Sequence, residues 1–260
     1  MTDGMGIPEE RLKAIWRMVF NLSVNFLHDE EDAQEATQEI LLKATCALSG
    51  FRGESSLDTW IYRIAYNHLV DRKKALARER ITFELFEDDV NHFEPYQGDP
   101  DLSREEMRIY VEQIKVGCTK AMLQCLDPKD RFVFLIGSVF GFDGAQGAAV
   151  CGMSPPAYRQ RLSRAQRKLR NFMSLNCGLM NPDATCRCRK RIRIALDRGR
   201  IDPDRLLHHA DSPKTRDYLE DMNRLDAVAE VFRDNPFLDK TESFSEEIGR
   251  MVSALAHRAI

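Results

Sequence analysis

The sequence predicts an all-α protein of two small helical domains, about residues 7–78 and 105–174, joined by an acidic linker over 79–104 and followed by a helical extension over 175–260. Three observations predict it. Apolar residues recur every three or four positions through each segment except the linker. The first domain shows no strand-like alternation. Residues that favour helix caps and turns (Pro8, Ser55, Ser56, Gly141, Gly152, Ser154) stand where one periodic run gives way to the next.

Taken in order, Leu12, Ile15, Trp16, Val19, Leu22 and Phe26 mark an amphipathic helix over residues 8–27, with Pro8 suited to its first turn. Ala33, Ala36, Ile40, Leu41, Ala44 and Leu48 give the next helix one buried stripe. Its other face is acidic. Asp29, Glu30, Glu31 and Asp32 are favoured by the macrodipole at a helix start. Glu35 and Glu39 lie deeper and four residues apart, where like charges repel by roughly 0.2–0.5 kcal/mol. A basic partner surface would offset that repulsion.

Gly50 and Gly53 then bound a loop containing Phe51, Arg52 and Glu54, and Ser55 or Ser56 can cap a helix with the stripe Leu57, Trp60, Ile61, Ile64, Ala65 and Leu69. Thr59, Tyr62, Arg63, Tyr66 and Asn67 are expected off the stripe, and Arg63, Asn67, Arg72, Lys73 and Lys74 make the outer face basic. Aromatic rings beside cations and an amide suit unpaired bases, by stacking, cation–π contact and edge hydrogen bonds. The same spacing also suits a core role for Trp60, Tyr62 and Tyr66.

Between Ile81 and Glu106 nine acidic residues face a single Arg104 around the turn-forming Gln97-Gly98-Asp99-Pro100, a composition that reads as an exposed tether. Helical spacing resumes through Leu102, Met107, Val111, Ile114 and Met122, and again through Phe132, Leu135, Ile136 and Val139. A short helix to Val150, a turn at Cys151–Ser154 and a helix over about 155–173 complete a helix-turn-helix pattern. Ser154 is the expected N-cap. In the second helix Tyr158, Leu162, Ala165 and Leu169 form a buried edge, while Arg159, Gln160, Arg161, Ser163, Arg164, Arg167 and Lys168 project outward. Arginine and glutamine near its start fit the major-groove code, and cations further along suit phosphates.

The extension opens with Cys177, Cys186 and Cys188, a C-x8-C-x-C array interrupted by turn residues. It can bind zinc through thiolates with a fourth ligand such as His208 or His209, form a redox-sensitive thiol set, or be structural. Nearby arginines are expected to lower the thiol pKa values, which suits either of the first two. Amphipathic helices are expected over 212–232 and 244–259, and these need a surface to cover.

Hydrophobic residues at 43% and charged residues at 30% place the chain in the globular class, with a formal net charge of −3. That small sum conceals segregation: six acidic and no basic residues from Asp29 to Glu39, six basic and no acidic ones from Pro155 to Arg170. Two signs on one chain suggest two partners. No apolar run approaches the roughly 18 residues of a membrane span and no signal-peptide core is present, so no membrane role and a cytoplasmic location are expected. Seven cysteines in that setting argue against a disulfide scaffold.

Asp32-Ala33, Gln38-Glu39, Phe51-Arg52-Gly53, Thr59-Trp60, Tyr62-Arg63-Ile64-Ala65 and Asn67 resemble region 2 of the extracytoplasmic-function (ECF) group of the sigma-70 family. Leu126, Pro128, Arg131, Gly141, Ala148, Gly152, Ser154, Arg159, Arg161-Leu162, Arg164-Ala165 and Lys168-Leu169 resemble its region 4. Two departures stand out: Gly147 replaces a large aliphatic residue, and Pro156-Ala157 replaces the common Gly-Thr pair. The resemblance implies that Asp32, Glu35, Gln38 and Glu39 face the β′ clamp helices of RNA polymerase core. It implies that Phe51, Arg52, Gly53, Trp60, Arg63, Asn67, Arg72 and Lys73 serve the −10 element. It further implies that region 4 meets the β flap and reads the −35 element with Ser154, Tyr158, Arg159, Gln160, Arg161, Arg164 and Lys168. The linker would follow the RNA exit path, no cofactor would be required, and control would come from an anti-sigma factor or from the extension itself. A stand-alone helix-turn-helix regulator accounts for residues 126–173 but not for the acidic helix. A metal- or thiol-dependent enzyme finds no nucleophile–base pair or phosphate loop in support.

Overall fold

The computed structural model describes residues 8–75, 81–91 and 102–203. Among them the chain is all-α, with one isolated parallel bridge between Cys177 and Cys186. The described residues divide into two compact units, 8–69 and 70–203. The helices expected over 212–232 and 244–259 lie outside the described residues.

In the first unit, α1 (Glu9–Leu27) and α2 (Glu30–Ala47) pack around Trp16, Phe20, Val24 and Ala33, with the Trp16 and Phe20 rings stacked 4.8 Å apart. The corner between them is tight. His28 takes a left-handed conformation (φ 65°) that closes α1, and Asp29 caps α2 by accepting the Asp32 N–H at 2.8 Å. The first of the four acidic residues is therefore a cap, and the next three fill the first turn. A 3-10 turn at Leu48–Gly50 leads to α3 (Leu57–Ala75), whose start is fixed by Ser56 accepting the Thr59 N–H.

In the second unit, α4 (Phe83–Asn91), α5 (Arg104–Cys125), α6 (Pro128–Phe134), a π turn over Leu135–Val139, α7 (Gly144–Cys151), α8 (Pro155–Asn176) and α9 (Cys188–Asp197) follow one another. Four of these starts have a local cause: Ser103 with Glu106 and Asp143 with Gln146 form capping boxes, and Asp127 and Ser154 cap α6 and α8 ahead of prolines. Gly152 (φ 60°) ends α7 in the left-handed conformation that a helix-turn-helix corner needs. Arg131, 1% exposed, donates from Nε to the Leu123 carbonyl and from Nη2 to that of Gln124. It thus satisfies carbonyls that the end of α5 leaves open.

Over its described residues 83–91 the linker departs from the exposed tether expected of it. Residues 83–91 form α4, with Phe86 and Val90 buried and the Phe83 and Phe86 rings 5.5 and 5.0 Å from that of Phe172 on α8. The aromatic residues outweigh the acidic composition because only the apolar edge of the helix need be buried. Asp89 is also partnered. Arg191 donates to its carbonyl and carboxylate (2.7 and 2.5 Å), Arg198 donates to Oδ1, and Arg200 holds both carboxylate oxygens at 2.8 Å. The extension docks as well: Ile192, Ala195 and Ile201 pack with Ile114 of α5.

Candidate nucleic-acid and protein interfaces

On α2 the stripe Ala33, Ala36, Thr37, Ile40 and Ala44 is buried, which turns Glu35 outward and leaves Asp32, Gln38 and Glu39 half-exposed along the same helix. Glu39 already has a partner inside the unit. Its Oε2 lies 3.5 Å from His68 Nε2, and Lys43 Nζ is 2.7 Å from His68 Nδ1. Glu39 is thus turned toward His68, and Glu35 is the more exposed of the two.

On α3 the buried face is broader than a single stripe. Ile61, Tyr62, Ala65, Tyr66 and Leu69 are all buried, with Tyr62 and Tyr66 only 6% and 8% exposed. Neither tyrosine is available to stack on a base: the helix is covered on two sides, so residues one position off the apolar row are enclosed with it. Burial, with the Asp58 carboxylate nearby, raises the Tyr62 pKa further above its ordinary value. Arg63 and Asn67 do face outward, as do Arg52 and Gly53 in the loop, where Gly53 takes φ 72°. Phe51 and Trp60 are half-buried and lean on each other with ring centroids 5.3 Å apart. Arg72 and Lys73 are half-exposed further along α3.

On α8, Arg159, Gln160, Arg164, Arg167 and Arg170 are exposed, and Ser154, exposed at the start, accepts the Ala157 N–H at 3.4 Å as the cap. Three residues expected at a DNA surface are used otherwise. Tyr158 is fully buried against Gly137 and Gly147. Arg161 Nη1 donates to Asp130 Oδ1 (2.6 Å) and Lys168 Nζ to Asp130 Oδ2 (3.1 Å), on a carboxylate side chain only 4% exposed. Arg161 and Lys168 are seven residues apart, two helical turns, and so point together at α6. A buried carboxylate requires such partners. Asp130 was not anticipated from the sequence; an acid three residues into a helix is ordinarily explained by the macrodipole, which hides this role.

The extension brings Cys177, Cys186 and Cys188 together around a cavity whose wall also includes Cys118 of α5. Burial, not the arginines, decides their chemistry. Cys118 is pushed up to about 12 and Cys188 to about 11, and Cys186 is also raised, its neighbours Arg191 and Arg187 only partly opposing burial. The expected lowering is thereby overturned for Cys186 and Cys188. Among the described residues no group of three or more His, Cys, Asp or Glu side chains already stands in metal-holding geometry.

Residues 13–79 match the family described as Sigma-70 region 2, and residues 117–169 match Sigma-70, region 4. Residues 13–79 and 117–169 thus carry regions 2 and 4 of the sigma-70 type, and the chain is similar to ECF sigma factors. It is 29% identical over 149 residues to the RNA polymerase sigma-H factor of Pseudomonas aeruginosa, covering 57% of this chain and 76% of that one. It is 33% identical over 156 residues to the ECF RNA polymerase sigma factor SigG of Mycobacterium tuberculosis, covering 55% of this chain and 41% of SigG. With the ECF RNA polymerase sigma-E factor of Escherichia coli it shares 25% identity over 140 residues, 54% of this chain and 73% of that. A solved structure of the sigma factor RpoE with the anti-sigma factor NepR from Bartonella quintana aligns at TM-score 0.44 and 20% identity, over 64% of this chain and 95% of that one.

The departure at Gly147 has a packing cause. A Cβ built there would fall 2.6 Å from Tyr158 Cε2 and closer still to Cζ. Tyr158 fills the volume that an aliphatic residue at 147 would otherwise occupy.

Proposed function

We propose that this chain acts as a promoter-specificity subunit: it docks on RNA polymerase core through α2, captures a melted −10 base with the 51–56 loop and the outer face of α3, and reads −35 duplex with α8. The observation that carries this reading is the pairing, in one chain, of an acidic helix face on the region 2 match with a helix-turn-helix on the region 4 match whose second helix exposes Arg159, Gln160, Arg164, Arg167 and Arg170.

At the polymerase face the contacts are assigned to Asp32, Glu35, Gln38 and Glu39, with Glu35 central because it is the most exposed of them. At the −10 face they are assigned to Arg52, Gly53, Arg63 and Asn67, with the Phe51–Trp60 pair as the floor of the pocket and Arg72 and Lys73 on the backbone. At the −35 face Arg159, Gln160 and Arg164 are assigned to base edges and phosphates near the helix start, and Arg167 and Arg170 to phosphates; Ser154 serves as cap first. The second domain would also meet the β flap. None of these faces requires a cofactor, and none performs covalent chemistry. A role on polymerase and chromosome places the protein in the cytoplasm, and no helix among the described residues is long and apolar enough to cross a membrane. Control by a separate anti-sigma factor or by the extension remains part of this proposal.

Promoter-specific run-off transcription with core polymerase tests it. Transcripts dependent on this chain are expected, and none from any genomic template would overturn the reading. A stand-alone helix-turn-helix regulator would bind duplex DNA yet fail to co-purify with core polymerase.

A further inference from the structure

The two cations that flank the exposed Arg164 on α8 are both turned to one acid. Arg161 precedes Arg164 by three residues and Lys168 follows it by four, so on the helix surface both are its immediate neighbours. A phosphate held by Arg164 would lie close to all three. Instead, Arg161 Nη1 donates to Asp130 Oδ1 at 2.6 Å and Lys168 Nζ to Asp130 Oδ2 at 3.1 Å, one oxygen each. The exposure is lopsided: the Asp130 side chain is 4% exposed, Arg161 30% and Lys168 43%. The acid is enclosed, and the cations reach in to it from the rim. Neither can leave for a phosphate without weakening the compensation of a buried charge. A third polar link joins the same stretch, Gln166 Nε2 donating to Ser138 Oγ of the π turn at 3.1 Å. Residues 161–168 span about 10 Å of helix, and α8 is thus tied along that length.

We propose that Asp130 is a positioning residue for −35 recognition, which fixes the rotation of α8 about its own axis and withholds Arg161 and Lys168 from the phosphates of DNA of the wrong sequence. The inference rests on the reading of α8 as the −35 helix. Its physics is a difference between two complexes. On a matching sequence, base contacts from Arg159, Gln160 and Arg164 hold the rotation of α8 by themselves, and the flank carrying Arg161 and Lys168 stays against α6. On any other duplex no base contact does this, and binding comes from phosphates alone. There, every cation that can swing to the backbone adds affinity and no information. Asp130 removes two such cations from the second complex and changes little in the first, which widens the gap between them. Its enclosure is what makes the hold effective. Water would compensate an exposed carboxylate and let its partners go, whereas a buried one has only these two.

The test compares the full chain on two duplexes of equal length over a range of salt, one carrying the −35 element of a promoter found by run-off transcription and one with that element scrambled. Asp130→Asn leaves no buried charge behind, and the two partly exposed cations are released to phosphate. Affinity for the scrambled duplex should rise, and its slope of log affinity against log salt should steepen by about 1.8, the value for two phosphates. Affinity for the matched duplex should rise less, so that the ratio between the two falls by roughly 10–30-fold at physiological salt. Adding Arg161→Gln and Lys168→Gln to Asp130→Asn should return the slope to the wild-type value, which a merely loosened fold would not do. If Asp130→Asn fails to fold, Lys168→Gln decides, because Arg161 still pairs with the acid. Its slope should match wild type, whereas Arg164→Gln should flatten the slope by about 0.9. An Asp130→Asn slope equal to wild type, or a Lys168→Gln slope flattened as much as that of Arg164→Gln, overturns the proposal. Wild-type protein that holds both duplexes equally overturns instead the −35 reading beneath it.

Discussion

A methyl group at position 147 would enter the ring of Tyr158, and Tyr158 has no space to retreat because Gly137 lies against its hydroxyl. Gly147→Ala is therefore expected to cost about 1–3 kcal/mol, the usual range for overpacking. Tyr158→Leu in the same chain should recover much of that loss in urea denaturation; a neutral Gly147→Ala would show that the site is roomier than it looks. Tyr158 Oη is buried without a hydrogen-bond partner. Tyr158→Phe removes that unsatisfied group and should leave stability unchanged or raised by up to about 1 kcal/mol. It should also leave −35 duplex binding intact, whereas weakened binding would restore Tyr158 as a DNA contact. Arg161 and Lys168 teach the same lesson on the polar side: outward helical positions tell which way a side chain leaves the helix, not whether a neighbouring helix has a carboxylate waiting. Their partner Asp130 is an acid in a first helical turn, and only the packing of α6 on α8 distinguishes it from a solvated one.

At the scale of elements, α4 and α9 are held by few but buried contacts. Asp89 has its pKa held well below the ordinary carboxylate range, chiefly by the Arg200 hydrogen bonds and then by Arg191, against the opposing effect of burial. A carboxylate depressed in the folded state stabilises it above its unfolded value of about 3.9, and that contribution is lost as pH falls below it. Acid should therefore weaken the α4–α9 attachment below about pH 4. The effect should shrink in high salt, because Arg198 and Arg200 are about half exposed. Asp89→Asn should flatten the dependence of thermal stability on pH between 3 and 5; an identical profile in wild type and variant would remove Asp89 from the account. The apolar half of the same attachment rests on Ile192, which is fully buried against α5. Ile192→Ala is expected to cost about 2–5 kcal/mol in denaturant unfolding, as for other buried Ile→Ala changes. A cost below about 1 kcal/mol would mean the extension is not part of the packed unit.

For the whole molecule, the proposed function assigns the acidic and the basic faces to two different partners. Glu35→Lys with Glu39→Lys should abolish binding to core polymerase while leaving −35 duplex binding unchanged; loss of both, or of neither, would contradict the assignment of faces. Glu35→Lys alone should account for most of the effect, since Glu35 is the more exposed of the two. On the DNA side, Arg161 and Lys168 are committed to Asp130, which leaves Arg159, Arg164, Arg167 and Arg170 for phosphates. If about four phosphates are neutralised, log affinity should fall against log salt with a slope near −3.5. A slope steeper than about −6 would require cations beyond α8.

The sequence by itself determined the all-α class, the first unit's helix order, the helix-turn-helix with its Ser154 cap, and the separation of acidic from basic faces. These follow from periodicity and from capping, which act over three or four residues and so are written locally. Only tertiary structure decided that α4 packs instead of hanging as a tether, that Tyr62, Tyr66 and Tyr158 are enclosed, that Asp130 takes two of the cations of α8, and that Cys118 meets the cysteines of the extension. Each of these depends on which face of a helix another helix covers, and burial of that kind joins residues far apart in the chain whose pairing no local spacing encodes.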